Sequence, residues 1–258
     1  MTATTRAGAA NGPARVLVTG AAGHIGRLLV EAWRDRYQLT LTDRRHVEAP
    51  PGARVVQGDI ATLAFARTAC RDIDVVVHLA GLPSPLTPWR ELRRPNVKGT
   101  WATLKAARDA GCHRVVFASS IMIDARPELD YSRGKRVCER LGQRYAADAA
   151  LSVISLRVGH VMTVGDHGLW PGTFRLRYSV IDADVVQGFT LAVDAPAHLH
   201  SETLPLLSAN RDPIVDTADT DRRLGFHPQF DVSVEADRVY RSPRGWLKRL
   251  KHRMMGRS

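Results

Sequence analysis

The chain has little of what marks several whole classes of protein. It holds three cysteines, Cys70, Cys112 and Cys138, in 258 residues. An odd number without metal-ligand spacing excludes a disulfide framework and a cysteine-based zinc site, and no metal is expected. Each cysteine lies in or beside an apolar segment, so reduced, partly buried thiols and a cytoplasmic location are expected. No apolar run is long enough to cross a bilayer. Residues 1–14 lack the hydrophobic stretch of a signal peptide and are expected to form a disordered extension. No internal repeat appears, and no low-complexity tract apart from the two ends. Acids are the scarcer charge, 26 against 37 Lys and Arg, for a formal +11. Seven of those excess positive charges belong to the acid-free stretch from Arg241 to Ser258. The remaining body is only mildly basic, and no nucleic-acid partner is expected. The tail, 241–258, reads as a solvated terminus or, with Trp246, Leu247, Leu250 and Met254 on one face, as a contact for an anionic membrane surface or an acidic partner.

What the chain does have is an apolar strand emptying into spaced glycines. Arg15-Val16-Leu17-Val18-Thr19 is followed by Gly20-Ala21-Ala22-Gly23-His24-Ile25-Gly26, and helical periodicity resumes at Arg27-Leu28-Leu29-Val30. A strand, a tight turn and a helix N-terminus joined in this way cradle a dinucleotide pyrophosphate. Gly20 permits the turn, Gly23 lets the backbone approach phosphate without a Cβ, and Gly26 permits close helix packing. Free N–H groups at the helix start, backed by the helix dipole, attract the phosphate charge. His24 there reads as a contact to phosphate or substrate or as a partly exposed helix-start residue. A second strand beginning at Gln38 ends at Asp43, a carboxylate placed for the ribose hydroxyls. Asp43 favours NAD, whereas Arg44 and Arg45 are placed to embrace the 2′-phosphate of NADP; NAD is the expected cofactor.

Further apolar strands at 54–57, 74–80, 114–118 and 151–156 alternate with helical stretches at 61–70, up to Ala110 and at 131–149. Such alternation implies parallel crossovers, hence an α/β fold with a doubly wound parallel sheet of Rossmann type. Residues 15–160 are read as the dinucleotide-binding domain. Residues 161–240, with a helix around 184–194, are read as a small C-terminal substrate-side region that packs over the sheet rim and closes the pocket.

The candidate chemistry sits at the carboxyl ends of the strands. Tyr131 and Lys135 are spaced i and i+4, which places a phenol and an ammonium on one helix face. A phenol ordinarily ionises near pH 10, and a neighbouring cation favours the phenolate. Ser120, at the end of the fifth strand, is placed to hydrogen-bond the reacting oxygen. In this reading Tyr131 moves the hydroxyl proton and Lys135 biases Tyr131 while holding the nicotinamide ribose. Hydride passes between the substrate carbon and the nicotinamide. Asn96 is an ordinary polar helix residue unless its helix ladder breaks locally to hold a water in a proton relay.

Six motifs stand in order: Thr19-Gly20-x-x-Gly23-x-x-Gly26, Gly58-Asp59-Ile60, His78-Leu79-Ala80-Gly81, Asn96-Val97-Lys98-Gly99-Thr100, Phe117-Ala118-Ser119-Ser120 and Tyr131-x-x-x-Lys135. Over about residues 15–160 the chain resembles the extended short-chain dehydrogenases/reductases, the NAD-dependent epimerase/dehydratase superfamily. Within it the chain is most similar to uronate dehydrogenases, through Pro88-Trp89-x-x-Leu92-x-x-Pro95-Asn96, Ser208-Ala209-Asn210-Arg211-Asp212 and Arg223-Leu224-Gly225-Phe226-His227-Pro228. The resemblance implies oxidation of a sugar-acid hydroxyl with NAD. It assigns Asn96 to the proton relay and Ile25 to the glycine loop around the cofactor. Asp59 and Ile60 would flank the adenine, and Leu79, Ala80 and Gly81 would line the cofactor channel. Ser84 and Ser120 would touch substrate, and Arg175 or Arg177 would fork onto its carboxylate. A homodimer through the helices carrying Asn96 and Tyr131 is also implied. The chain departs from the family where Ile121 and Met122 replace an Asn-His pair that touches the sugar acid, and in a shorter segment between Ser120 and Tyr131. These departures imply either a substrate less polar than a hexuronate or a degenerate activity. The rival expectations are a sugar-nucleotide epimerase or dehydratase of the same superfamily and a regulator that senses the dinucleotide without turnover.

Overall fold

The structure, a computed structural model, describes residues 12–147, 150–163 and 174–242. The expected N-terminal extension falls mostly outside them, as does the basic tail beyond Ser242. Strand β1 (Arg15–Thr19) leads into α1 (His24–Trp33), β2 (Gln38–Thr42), β3 (Arg54–Val55), α2 (Leu63–Ala69) and β4 (Val75–His78). Next come α3 (Trp89–Leu92), a π-helical turn (Arg93–Lys98), α4 (Gly99–Asp109), β5 (Arg114–Ser120), the short α5 (Met122–Ala125) and α6 (Asp130–Ala146). They are followed by β6 (Ser152–Val158), β7 (His160–Met162), a 3-10 helix (Phe174–Tyr178), β8 (Ser179–Ile181), α7 (Asp182–Val193), β9 (Ser201–Leu206), α8 (Ala218–Leu224) and α9 (Val232–Arg241).

Seven strands form one sheet in the order β3-β2-β1-β4-β5-β6-β9, and every neighbouring pair is parallel. β1, β2, β4, β5 and β6 are largely buried because helices cover both faces, whereas β3 is exposed and β9 half-exposed, and the side chains divide by the period of two. Val16, Val18, Val75, Val77, Val116, Ile154 and Leu156 join one core with Leu29 and Trp33 of α1 and Val185 and Phe189 of α7. Leu17, Val76, Val115 and Val153 join the opposite core with Ala66 of α2, Leu104 of α4 and Ala146 of α6. The order in which strands are added reverses between β1 and β4, the switch point at whose carboxyl edge such folds bind ligands.

The segment after residue 160 also feeds the sheet. Its β9 pairs with β6 in the register Leu156↔Leu204 and Val158↔Leu206. Its α7 lies against α1, where the Trp33 indole N–H donates to Thr190 Oγ1 at 2.8 Å. β7 and β8 make a separate parallel pair, and α9 packs on it through Val232 and Ala236 against Ile181 and Met162.

Candidate active site

The glycine turn is built as tightly as its composition demands. Gly20 has φ +72°, and a Cβ there would stand 2.8 Å from the Ala80 backbone nitrogen. A Cβ on Gly26 would lie 2.7 Å from the Ala21 Cα, so it is the turn itself that Gly26 admits. Gly20 and Ala21 donate their N–H groups to the Thr42 carbonyl at 2.8 and 3.2 Å, fastening the turn to β2. Gly23 caps α1 with no side chain bound to the helix start, and His24 is exposed. The residues present therefore fit a dinucleotide: a backbone cradle without side chains, an uncapped helix start and a carboxylate beside it.

That carboxylate is Asp43. It accepts from the Ala22 N–H at 3.1 Å and from the Arg45 N–H at 3.0 Å, and the Arg45 side chain folds onto both its oxygens at 3.3 and 3.4 Å. Burial works to raise the Asp43 pKa, but the Arg45 and Ala22 hydrogen bonds outweigh it and hold the carboxyl below its ordinary range. Arg44 is exposed, and its carbonyl accepts from the Gln57 amide at 2.9 Å. Of the two arginines, Arg45 is the one that meets Asp43.

Asp59 follows β3. One of its oxygens accepts from the Ala61 N–H at 2.9 Å and the other from Arg94, in the π-helical turn, at 2.5 Å. Ile60 is buried under Gly99 at the start of α4. The π-helical turn places Asn96 inward. Its side chain grips both backbone groups of Leu82, accepting from the N–H at 2.8 Å and donating to the carbonyl at 3.1 Å. Gly81 leaves room for this, since a Cβ there would stand 3.1 Å from the Asn96 amide oxygen. The Asn96 carbonyl accepts from the Thr100 hydroxyl at 2.7 Å and from the Cys138 thiol at 3.6 Å. Asn96 thus fixes the loop after β4. Ala80 lies against Gly20, Leu79 packs on the core, and Ser84 sits exposed in a turn closed by Thr87 N–H.

Tyr131 and Lys135 occupy the inner face of α6 and both are buried. The Lys135 ammonium lies 5.7 Å from the Tyr131 ring centroid, donates to the Ala118 carbonyl at 2.7 Å and stands 4.8 Å from the Phe117 ring centroid. Ser120, buried at the end of β5, accepts from the Met122 N–H at 3.2 Å. The two candidate carboxylate-binding arginines differ. Arg177 is paired with Asp212 at 3.0 Å and lies over the Phe174 ring. The Arg175 guanidinium is exposed and has no partner among the described residues.

Beneath the site His78 is fully enclosed. Its Nδ1 lies 2.8 Å from the Thr19 hydroxyl and 3.3 Å from that of Thr103, and its Nε2 lies 3.2 Å from the Thr100 hydroxyl. Because Thr100 spends its proton on the Asn96 carbonyl, it accepts from Nε2–H, and Thr19 donates to Nδ1. This is the pattern of a neutral imidazole. Burial, reinforced by the Lys135 charge, lowers its pKa from 6.5 to about 3. Between those values the unfolded chain binds a proton that the folded one refuses, so the contribution is complete above 6.5 and is lost as pH falls. Urea titrations from pH 6 downward are expected to show His78 removing about 1.4 kcal/mol of stability per pH unit, a slope that His78→Gln flattens.

Three groups escape sequence reasoning: Arg94 on Asp59, Arg45 on Asp43, and a cluster of Ser119, Asp124, Glu139 and Arg157 behind Ser120. Only Glu139 carried a signal, as the next i+4 step after Tyr131 and Lys135. Among the described residues no group of three or more His, Cys, Asp or Glu is placed to hold a metal, and no helix is long and apolar enough to cross a membrane.

Comparison with known proteins gives consistent results. The model of the NAD dependent epimerase/dehydratase family matches residues 16–175. The chain is 29% identical over 248 residues to an L-arabinose 1-dehydrogenase (NAD(P)(+)) of Haloferax volcanii, covering 84% of this chain and 96% of that protein. It is 30% identical over 162 residues to a uronate dehydrogenase of Pseudomonas putida, covering 56% of this chain and 60% of the other. The solved structure of a uronate dehydrogenase mutant from Agrobacterium tumefaciens, complexed with NAD, superposes with a TM-score of 0.78 at 25% identity, covering 88% and 89% of the two chains.

Proposed function

Since the chain belongs to the NAD-dependent epimerase/dehydratase family, we propose that it is an NAD-dependent dehydrogenase oxidising a ring hydroxyl of a sugar or sugar acid. The observation that carries this reading is the Tyr131–Lys135 pair, buried together at the carboxyl edge of a sheet whose glycine turn fits a dinucleotide. NAD supplies the hydride acceptor. Gly20, Gly23, Ile25 and Gly26 form its phosphate cradle, with Asp43 at the ribose and Asp59 with Ile60 at the adenine. Leu79 to Gly81 form the channel wall, fixed from behind by Asn96.

The chain's own work is proton management and alignment. Tyr131 takes the proton of the substrate hydroxyl, and the Lys135 ammonium, tethered to the Ala118 carbonyl, stabilises the phenolate that receives it. Ser120 holds the same substrate oxygen. Arg175, exposed and without a partner among the described residues, is the proposed fork for a substrate carboxylate, because Arg177 is already committed to Asp212. The reading extends to a cytoplasmic protein, supported by three buried free cysteines, and to a homodimer through α4 and α6, where Trp101, Leu141 and Tyr145 are half-exposed.

The test is reduced-nicotinamide absorbance with NAD and a panel of pentoses, hexoses and their uronic acids. Net NADH formation is expected. Isomerisation of a nucleotide sugar without net reduction points to an epimerase, and cofactor binding without turnover to a sensor. Arg175→Gln is expected to raise KM for a uronic acid about tenfold while leaving KM for the matching neutral sugar unchanged.

A further inference from the structure

The shortened segment between Ser120 and Tyr131 is held by charges that none of the motifs contains. Arg157, on β6, forks onto Glu139 with two bonds of 2.9 Å. Its remaining nitrogen donates to both oxygens of Asp124, in α5, at 2.9 and 3.1 Å. Glu139 also accepts from the Ser119 hydroxyl at 2.6 Å. The cluster therefore ties β5, α5, α6 and β6 together next to Ser120.

A helix as short as α5 does not sustain itself. It spans four residues, has no side-chain cap and buries only Ile123. Yet its backbone sets the site. Met122 N–H donates to the Ser120 hydroxyl at 3.2 Å, and the Ser132 hydroxyl, in α6, donates to the Met122 carbonyl at 2.8 Å and the Arg126 carbonyl at 2.7 Å. Exposed ion pairs are worth little when two free side chains must be ordered. Here Glu139 already fixes the Arg157 fork, so Asp124 meets a preorganised partner.

We propose that Asp124, through Arg157, is a positioning residue: it docks α5 so that the Met122 N–H holds the Ser120 hydroxyl toward the substrate oxygen. This rests on the reading of Ser120 given above. Deleting Arg157 strands the Glu139 carboxylate in the interior and threatens folding, so the informative change is Asp124→Ala, which also favours the helix locally. Asp124→Ala is expected to lower kcat on the order of tenfold with NAD affinity unchanged. Asp124→Glu should recover most of the loss, and in a Ser120→Ala background Asp124→Ala should cost nothing more. In the ligand-free variant the Met122 amide should exchange with deuterium faster while α4 amides keep their protection. Equal losses in both backgrounds, or unchanged exchange at Met122, would overturn the proposal. Exchange needs no substrate, so it decides the docking of α5 even if no sugar is oxidised. Turnover that is indifferent to Asp124→Ala would remove Asp124 and leave the proposed function standing.

Discussion

Tyr131→Phe is expected to lower kcat by about 10³-fold, within the range that a positioned proton-transfer group contributes. The variant removes one oxygen and keeps the ring. Tyr131 is 7% exposed and packed on the inner face of α6, so phenylalanine fills the same space. The Lys135 ammonium stays where the Ala118 carbonyl and the Phe117 ring hold it, and the cofactor cradle is built by other elements. NAD affinity, read by fluorescence titration, should therefore be unchanged while NADH formation collapses. A variant that keeps the wild-type rate removes Tyr131 from proton transfer. Weakened NAD binding in step with the rate would assign it a purely structural role.

Gly26→Ala carries the second large effect. One methyl group there meets the Gly20 carbonyl oxygen and comes within 2.7 Å of both the Ala21 Cα and the Ala21 carbonyl oxygen. These are backbone atoms of a turn already bonded to Thr42, so nothing yields without opening the cradle. A loss of about 2–3 kcal/mol in unfolding free energy is expected, as for overpacking at a rigid site, together with a large loss of NAD affinity. Gly111→Ala is the matched control. Gly111 has φ +75° but its Cβ would meet nothing within 4 Å, so it should lose only about 1 kcal/mol from the unfavourable backbone and bind NAD normally. Equal effects of the two variants on NAD affinity would show that Gly26 serves packing alone.

Most of the sheet was legible in the sequence because β1, β2, β4, β5 and β6 carry apolar runs buried among the helices, and the short, exposed β3 was legible as the Arg54-Val55-Val56 stretch after a Pro-Gly turn. The seventh, β9, was not. Ser201-Glu202-Thr203 is polar or half-exposed and Pro205 interrupts the run, features that belong to an edge strand and weaken any strand signal. The helical stretch ending at Ala110 hid a π-helical turn. Pro95, lying within it, has no N–H to give the helix ladder, and the widened turn presents Asn96 to Leu82. The glycine turn, Asp43 and the Tyr131–Lys135 pair were legible because their partners lie within one strand-turn-helix unit or one helix turn. Arg94 on Asp59 and Arg157 on Asp124 join residues 35 and 33 positions apart, and only the order of the strands brings them together. A pairing made by topology leaves no periodic trace.

The two borders of the sheet have a consequence for the crowded protein. On one side β3 is a mere two residues, and on the other the Pro205 ring removes a donor while its carbonyl is taken by the Thr220 hydroxyl at 2.6 Å. Neither border presents a long row of vacant amides to a stray chain. A sheet finished in this way offers a stray strand little to grow on, so at high concentration its borders are poor places for one copy to recruit the next.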